Sequence, residues 1–138
     1  MQKFLDPFHG FWKNAEHGDP QNNTLSIPGL QAEVTVVYDS ILIPHIFAQN
    51  DDDLYLAQGY ITAQHRLWQM EFQVLSAAGR ISEILGPVAL DYDRGQRRLG
   101  MTFGADHNME SLKKNQDIYR AAVNYATGVN TYIQQLDY

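Results

Sequence analysis

Three side-chain types that hydrolases combine in catalysis lie in one short stretch, at Asp39, Ser40 and His45. A serine nucleophile needs a histidine base and an acid that orients the histidine, and these residues supply all three types. They are crowded into a single turn, however, and no G-x-S-x-G elbow surrounds Ser40. We therefore predict that they form no triad and that the His45 ring is hydrogen-bonded to nearby backbone.

The acidic run Asp51 to Asp53 is a second place where chemistry is conceivable, because carboxylates are calcium ligands. An EF-hand loop would need alternating acids, a central glycine and a later glutamate, which this run lacks. Its position before a helical pattern favours helix capping instead. His65 and His107 lack a second ligand at metal-site spacing. We assign no catalytic, substrate-binding or metal-binding residue, and no cofactor, to these 138 residues.

Charge and composition exclude several classes of protein. The net charge of −6 argues against a nucleic-acid surface, which needs clustered lysine and arginine side chains. No apolar run reaches the roughly 20 residues that span a bilayer, so we predict no membrane span. The absence of cysteine excludes a disulfide framework and a zinc–thiolate site.

The first part of the chain, residues 1–32, predicts an irregular arm. Prolines and glycines punctuate it with turns, and aromatic residues lie between them. Among these, Phe8, Phe11 and Trp12 are costly to leave in water, at roughly 25 cal/mol per Å² of apolar surface. The arm therefore needs a surface to lie on.

The rest of the chain predicts a fold that is α+β and mostly helical. Residues 33–49 hold a β-branched run and a second extended run, which together predict a short β-hairpin. Residues 50–138 show the three- and four-residue apolar spacing of several helices. No linker separates these parts, so we predict a single unit over residues 1–138.

Capping residues and glycines predict where the helices begin and end. Asn50 and the acids Asp51 to Asp53 can accept hydrogen bonds from the N–H groups of a first helical turn. Gly79 and Gly86 predict stops on either side of a short helix at 81–85. Another helix or turn is predicted over 87–98.

Two of the predicted helices carry an apolar stripe that should be buried. In the first helix the stripe consists of Leu54, Ala57, Ile61, Leu67, Met70, Val74 and Ala77 or Ala78. The last predicted helix covers residues 110–136. Gly128 in its middle costs about 1 kcal/mol relative to alanine, so we predict close packing against another segment there.

A dense series of special residues runs from Asp39 to Gly86. It reads D-x-x-x-x-P-H-I, then Q-G-Y-x-x-A-Q-x-R-L-x-Q-M, then G-R-I-x-E-x-L-G. This series resembles the opening signature of the penicillin acylase (penicillin amidase) family. The D-x-x-x-R-R spacing that begins at Asp93 and the run YATGVNTYI are also similar to that family. The residues that carry the resemblance, to which we assign a structural role, are Asp39, Pro44, His45, Gln58, Gly59, Gln64, Arg66, Gln69, Gly79, Arg80, Glu83 and Gly86.

Leu42 is a departure from the family pattern, which has glycine at this position. If that glycine has a positive φ angle, leucine would cost roughly 1 kcal/mol or more, so we predict that the turn differs locally.

Two arginines of the signature, Arg66 and Arg80, have apolar neighbours in sequence and need acceptors for their guanidinium groups. Glu71 and Glu83 are the expected partners. We predict that these pairs lock the helices together and do not contact substrate.

The resemblance implies the N-terminal part of the first (alpha) chain of an N-terminal-nucleophile hydrolase with an αββα sandwich. Such an enzyme is made as a precursor and cut into two chains, and the second (beta) chain begins with the catalytic serine. The implied reaction is hydrolysis of the linear amide of an N-acyl compound, such as a β-lactam side chain or an acyl-homoserine lactone. The implied nucleophile lies beyond Tyr138, so these residues alone are expected to be inactive.

The family also implies partners and a location. The expected partners are the rest of the precursor and the second chain, and in the parent protein a small acyl amide. Calcium is possible in the parent protein, and the expected location is periplasmic or secreted, with the leader absent from this sequence. From a different class, a stand-alone helical protein-binding module would use the aromatic arm and the Phe72 to Leu75 face to engage a partner.

Overall fold

The computed structural model describes residues 24–136, and it is mostly helical with one two-stranded antiparallel sheet. In chain order the elements are β1 (Thr35–Tyr38), β2 (Pro44–Phe47), α1 (Asp51–Ala77), α2 (Ser82–Leu85), a 3-10 turn (Gly86–Ala89), α3 (Leu90–Leu99), α4 (Met101–Leu112) and α5 (Gln116–Ile133). The predicted α+β, mostly helical fold with a short hairpin is confirmed. Among the described residues, no helix is both long and apolar enough to cross a bilayer.

The described residues form two compact units. The first contains residues 24–63 and 121–136, and the second contains residues 64–120. The prediction of a single unit over residues 1–138 stays a prediction. Most of the predicted arm, residues 1–23, lies outside the described residues.

The hairpin belongs to the first unit and pairs Val36 with Ile46 and Val37 with His45. Both strands are shorter than the predicted extended runs, at four residues each. Pro44 starts the second strand opposite Tyr38, a position where its missing N–H is tolerated.

Close contact between two helices organises the first unit. Both Gly59 in α1 and Gly128 in α5 are buried. A Cβ atom at Gly59 would overlap the backbone carbonyl of Tyr125, and one at Gly128 would overlap the backbone carbonyl of Leu56. The two helices therefore touch backbone to backbone, and the predicted close packing at Gly128 is confirmed.

Polar and aromatic contacts between α1 and α5 surround the glycine contact. The Tyr60 hydroxyl donates a hydrogen bond to Gln135 Oε1 at 2.7 Å. The Tyr60 ring meets the Tyr132 ring edge to face, with centroids 5.5 Å apart. Asn124 Nδ2 donates to Asp52 Oδ1 at 2.9 Å. These contacts join the same two segments of the chain as the glycine contact does.

Part of the predicted stripe of α1 is wrong because the helix is interrupted. Arg66 has φ −139° and ψ 19°, which are not helical angles. Beyond such a break the 3.6-residue phase counted from Leu54 no longer applies. Val74 was expected to be buried but is 61% exposed, whereas Leu75 is buried.

In the second unit a small apolar cluster forms around the end of α1. Leu75, Ile81 and Ala89 are buried, and Phe72 and Ile84 pack against them. Of the Phe72 to Leu75 face that a binding module would use, Phe72 and Leu75 are therefore occupied within this unit, while Gln73 and Val74 are exposed.

Glycines end α1 and α2, as predicted. Gly79 has a φ of 65°, its N–H bonds to the Ser76 carbonyl, and the Arg80 N–H bonds to the Leu75 carbonyl at 2.8 Å. This is the Schellman arrangement, which satisfies the last carbonyls of a helix. Gly86 also has a positive φ, of 77°, at the end of α2.

The single helix predicted over residues 110–136 is wrong at its start. Residues 101–112 form α4, which the sequence analysis missed, and α5 begins separately at Gln116. The reason is local, because the Asn115 side chain accepts a hydrogen bond from the Ile118 N–H at 3.3 Å. An asparagine in that role starts a new helix and competes with continuation of the old one.

The glycine contact generates a stability prediction. Gly128→Ala should lower the free energy of unfolding by about 1–3 kcal/mol, because the added methyl group forces the two helix backbones apart. Gly104→Ala is the matched control, since a Cβ there meets nothing within 4 Å. That variant should be more stable by up to about 1 kcal/mol, from helix propensity alone. Urea unfolding measures both values, and a Gly128→Ala variant as stable as the Gly104→Ala variant would contradict the prediction.

Candidate functional site

Asp39 organises the turn of residues 39–43, hereafter the Asp39 turn. Its Oδ1 accepts hydrogen bonds from the N–H groups of Ile41 and Ile43, each at 2.9 Å. The Ile43 N–H is the main reason that the pKa of the Asp39 carboxyl lies below its ordinary value. This carboxylate therefore acts as an acceptor that shapes the backbone.

The residues that could have formed a triad are arranged for the same structural purpose. His45 Nε2 lies 3.5 Å from Asp39 Oδ2, and both side chains are substantially exposed. The prediction that the His45 ring bonds nearby backbone is wrong, because its partner is this carboxylate. Since Asp39 already accepts two backbone hydrogen bonds, its main role is in the turn.

Leu42 has a φ of 62°, and it is the one non-glycine residue with positive φ in the described part of the chain. Leucine therefore takes the left-handed conformation itself, and the prediction that the turn differs locally from the family pattern stays a prediction. The Leu42 N–H bonds to the Asp39 carbonyl at 3.0 Å, and the Asp39 N–H bonds to the Ile43 carbonyl at 3.2 Å. These hydrogen bonds hold the strained residue in place.

Asp53 is a buried carboxylate that joins an irregular segment to the start of α1. It accepts hydrogen bonds from the Gln31 N–H at 2.8 Å, the Ala32 N–H at 3.0 Å and Asn50 Nδ2 at 2.7 Å. The Asp53 N–H bonds in return to Asn50 Oδ1 at 2.8 Å, which makes a reciprocal cap. Burial acts to raise the pKa of Asp53, but these hydrogen bonds outweigh it and hold the pKa below its ordinary value. The predicted capping of the helix start is confirmed at Asn50, whose side chain accepts the Asp53 N–H. The Asp53 carboxylate accepts no N–H group of the first turn and instead binds Gln31, Ala32 and the Asn50 side chain.

Asp93 is the second buried carboxylate, and it ties α3 to the residues that start α2. It accepts hydrogen bonds from the N–H groups of Ile81 at 2.9 Å and Ser82 at 2.8 Å. Burial acts to raise its pKa, yet the hydrogen bonds, first among them those of Ser82, leave the pKa below its ordinary value. No role was predicted for Asp93, although the D-x-x-x-R-R spacing that begins there could have indicated one.

Gly79 and Arg97 complete the contact around Asp93. Arg97 Nε donates to the Gly79 carbonyl at 2.9 Å. A Cβ atom at Gly79 would lie 2.5 Å from the Asp93 carbonyl oxygen and 2.8 Å from Arg97 Cγ. Glycine is thus required there both for its positive φ and for the close approach of α3.

The two arginines of the signature do not lock helices together. Arg80 makes a two-point ion pair with Glu83, at 2.7 and 2.9 Å, but both side chains are about half exposed and belong to adjacent turns. Arg66 donates to Gln69 Oε1 at 3.1 Å, so its partner is not the predicted Glu71. Exposed pairs three residues apart stabilise their own turn and little else.

The other signature residues are spread along the chain. Pro44 begins β2, and Gly86 ends α2. Along α1, the Gln58 side chain is exposed while Gln64 is half-buried. The structure therefore brings Asp39 together with His45, Arg66 with Gln69, and Arg80 with Glu83.

The described residues offer no metal centre, since no three histidine, aspartate or glutamate side chains converge. In the acidic run, Asp53 accepts three hydrogen bonds and Asp52 accepts one from Asn124.

Comparison with known proteins decides the family. The profile described as Penicillin amidase matches residues 33–138, which hold the hairpin and every helix described above. This chain belongs to the penicillin amidase family. In this chain several residues that carry the resemblance lie in turns, at helix ends or at close helix contacts, among them Asp39, Gly59, Gly79 and Gly86.

Relatives of this penicillin amidase family chain include three bacterial acylases. It is 43% identical over 115 residues to penicillin acylase 2 proenzyme of a Pseudomonas species, and 30% identical over 117 residues to penicillin G acylase of Escherichia coli. It is also 30% identical over 125 residues to an acyl-homoserine lactone acylase of Pseudomonas aeruginosa. These matches cover 83%, 81% and 88% of the chain, in that order, but only 14% of each relative.

A solved structure supports the same family assignment. The chain matches a thermostable penicillin G acylase from Alcaligenes faecalis with a TM-score of 0.63 and 32% sequence identity. The match covers 75% of this chain and 54% of that one. The hairpin and helices are consistent with a segment of a penicillin G acylase.

The strain at Leu42 can be tested by substituting glycine. Leu42→Gly should raise the free energy of unfolding by up to about 1 kcal/mol, because relief of the left-handed strain exceeds the added chain entropy. Ile41→Gly, next to it but without positive φ, should lower that free energy by about 0.5–1 kcal/mol. Denaturant unfolding distinguishes the two, and destabilisation by Leu42→Gly would show that the turn is not strained.

Asp93 should make stability depend on acid pH. Its folded pKa lies below the ordinary value of 3.8, so its contribution is complete above that value and is lost as pH falls through the folded pKa. Asp93→Asn should lower the thermal midpoint at neutral pH and flatten the loss of stability below about pH 4. Melting curves across the acid range test this, with Asp91→Asn as an exposed control that should change neither property. An unchanged acid slope in Asp93→Asn would contradict the assignment.

Proposed function

We propose that this chain is the N-terminal scaffold of the first chain of a penicillin-acylase-type amide hydrolase, and that it is inactive alone. The family assignment supports the reaction class, and the named relatives are penicillin acylases and acyl-homoserine lactone acylases. The proposed substrates are N-acyl compounds whose linear amide is cleaved, such as a β-lactam side chain or an acyl-homoserine lactone.

The observation that carries the scaffold role is the use of the carboxylates. Asp39, Asp53 and Asp93 each accept at least two hydrogen bonds from main-chain N–H groups. A carboxylate held in this way, with a lowered pKa, is a poor general base because it has little affinity for a proton. The groups that could take part in catalysis are therefore committed to shaping the backbone.

Exposed apolar side chains support the proposed partners, which are the rest of the precursor and the second chain. Large apolar residues in both units are at least half exposed, among them Phe47, Val88 and Phe103. Surface of this kind usually marks an interface. In the parent protein we place the catalytic serine at the start of the second chain, any calcium outside residues 24–136, and the mature enzyme in the periplasm or outside the cell.

The proposal is tested with the longer polypeptide that contains residues 1–138. Its purified product should hydrolyse chromogenic phenylacetyl or longer acyl amides, and mass spectrometry should find two chains, the second beginning with serine. The 138-residue chain, assayed at the same molar concentration, should show no turnover above buffer.

Two results would overturn the proposal in different ways. Turnover by the 138-residue chain alone would disprove its inactivity. A longer product that stays uncut and hydrolyses none of these amides would disprove the enzyme class.

A further inference from the structure

A stretch of the second unit is bounded by an interrupted helix on one side and by a glycine on the other. At its start, Arg66 has non-helical backbone angles, so the geometry of α1 is broken there. At its end, Gly100 has a φ of 69° and its N–H binds the Arg97 carbonyl, which closes α3. Hereafter residues 67–100 are the bounded segment.

Interruptions of this kind are places where local unfolding can stop. A helix forms cooperatively from hydrogen bonds between successive turns, so unwinding that reaches a break need not continue beyond it. Before the break, α1 keeps its own cap at Asn50 and its contact with Tyr125 of α5 at Gly59. α5 begins at its own asparagine cap, Asn115. The helices that meet in the first unit therefore retain these contacts when the bounded segment opens.

The core of the bounded segment is small. It consists of the buried side chains Leu75, Ile81 and Ala89, with Phe72 and Ile84 packed against them. The helix that follows the segment, α4, has no buried residue and so cannot anchor the segment from its far end. Regions with few buried apolar side chains open most readily. The bounded segment should accordingly open more often than the backbone contact of the first unit.

Two polar contacts from α3 hold the bounded segment closed, and hereafter they are the clasp. The buried Asp93 carboxylate accepts the N–H groups of Ile81 and Ser82. From the same helix, Arg97 Nε donates to the Gly79 carbonyl at 2.9 Å. Ile81 belongs to both the clasp and the core, because its N–H binds Asp93 while its side chain is buried. The clasp and the core should therefore form and break together.

We propose that the bounded segment opens and closes as one cooperative unit, with the clasp as its latch, while the first unit stays folded. The proposal goes beyond the proposed function and does not depend on it, because it rests on contacts within the chain itself. Opening releases α2, α3 and the end of α1 together and exposes the small apolar core. The bounded segment is then the part of the chain where proteolysis begins, since a protease cleaves backbone that has opened.

Hydrogen exchange followed by peptide mass spectrometry tests the proposal on the 138-residue chain. Exchange of a protected amide requires that its part of the structure opens. Amides in residues 67–99 should share one degree of protection, at least about tenfold lower than that of amides in residues 52–63 and 121–133.

Leu75→Ala is the deciding variant, because Leu75 lies in α1 but beyond the break at Arg66. It should speed exchange at least about tenfold throughout residues 67–99, α3 included, and by less than about twofold in residues 52–63. Val74→Ala is the matched control on the same helix, since Val74 is 61% exposed, and it should change exchange by less than about twofold everywhere.

Asp93→Asn tests the latch. Because it weakens the clasp without touching α1, it should reproduce the pattern of Leu75→Ala, with faster exchange in the end of α1 as well as in α3. Gly128→Ala should give the reverse pattern, with faster exchange in residues 52–63 and 121–133 and little change in residues 67–99.

Three outcomes would overturn the proposal. Equal acceleration of residues 52–63 and 67–99 by Leu75→Ala, or loss of all protection in that variant, would show that the chain opens as a whole. Acceleration confined to the residues around Leu75 would show that the bounded segment is not cooperative. An Asp93→Asn chain whose exchange in the end of α1 is unchanged would show that the clasp is not its latch.

Discussion

Backbone contact between α1 and α5 is the constraint on which the first unit depends. Helices approach this closely only where neither has a side chain at the contact, and Gly59 and Gly128 meet that condition together. Hydrogen bonds from Tyr60 to Gln135 and from Asn124 to Asp52 join the same two segments of the chain. The mid-helix glycine cost of about 1 kcal/mol is therefore offset by contacts that a larger residue would prevent.

Three carboxylates, each buried or part of a turn, hold irregular backbone segments in place. Asp53 joins an irregular segment to a helix start, Asp93 joins α3 to the start of α2, and Asp39 closes a hairpin turn. In each case an ionised side chain accepts main-chain N–H groups that secondary structure leaves unpaired.

The hairpin differs from these regions in two ways, because its turn holds a strained residue and its apolar side chains are exposed. Leu42 keeps a left-handed backbone that glycine would adopt more easily, and the residues beside it are apolar and exposed. A turn of this kind needs the Asp39 hydrogen bonds to hold it. The helices bury part of their apolar side chains within their own units, whereas the hairpin presents apolar residues on both faces.

Features that depend on a few neighbouring residues could be predicted from sequence. The hairpin, the cap at Asn50 and the helix stops at Gly79 and Gly86 follow from local steric and hydrogen-bonding rules, and the family followed from the order of such residues. The positions that pair across the fold could not be predicted, because spacing does not say which backbone a side chain will reach. Asp93 finds its donors 12 residues away at Ile81, and Gly128 finds its contact on a different helix. The irregular backbone at Arg66 likewise moved Val74 out to solvent, since a helical pattern holds only while the helix is unbroken.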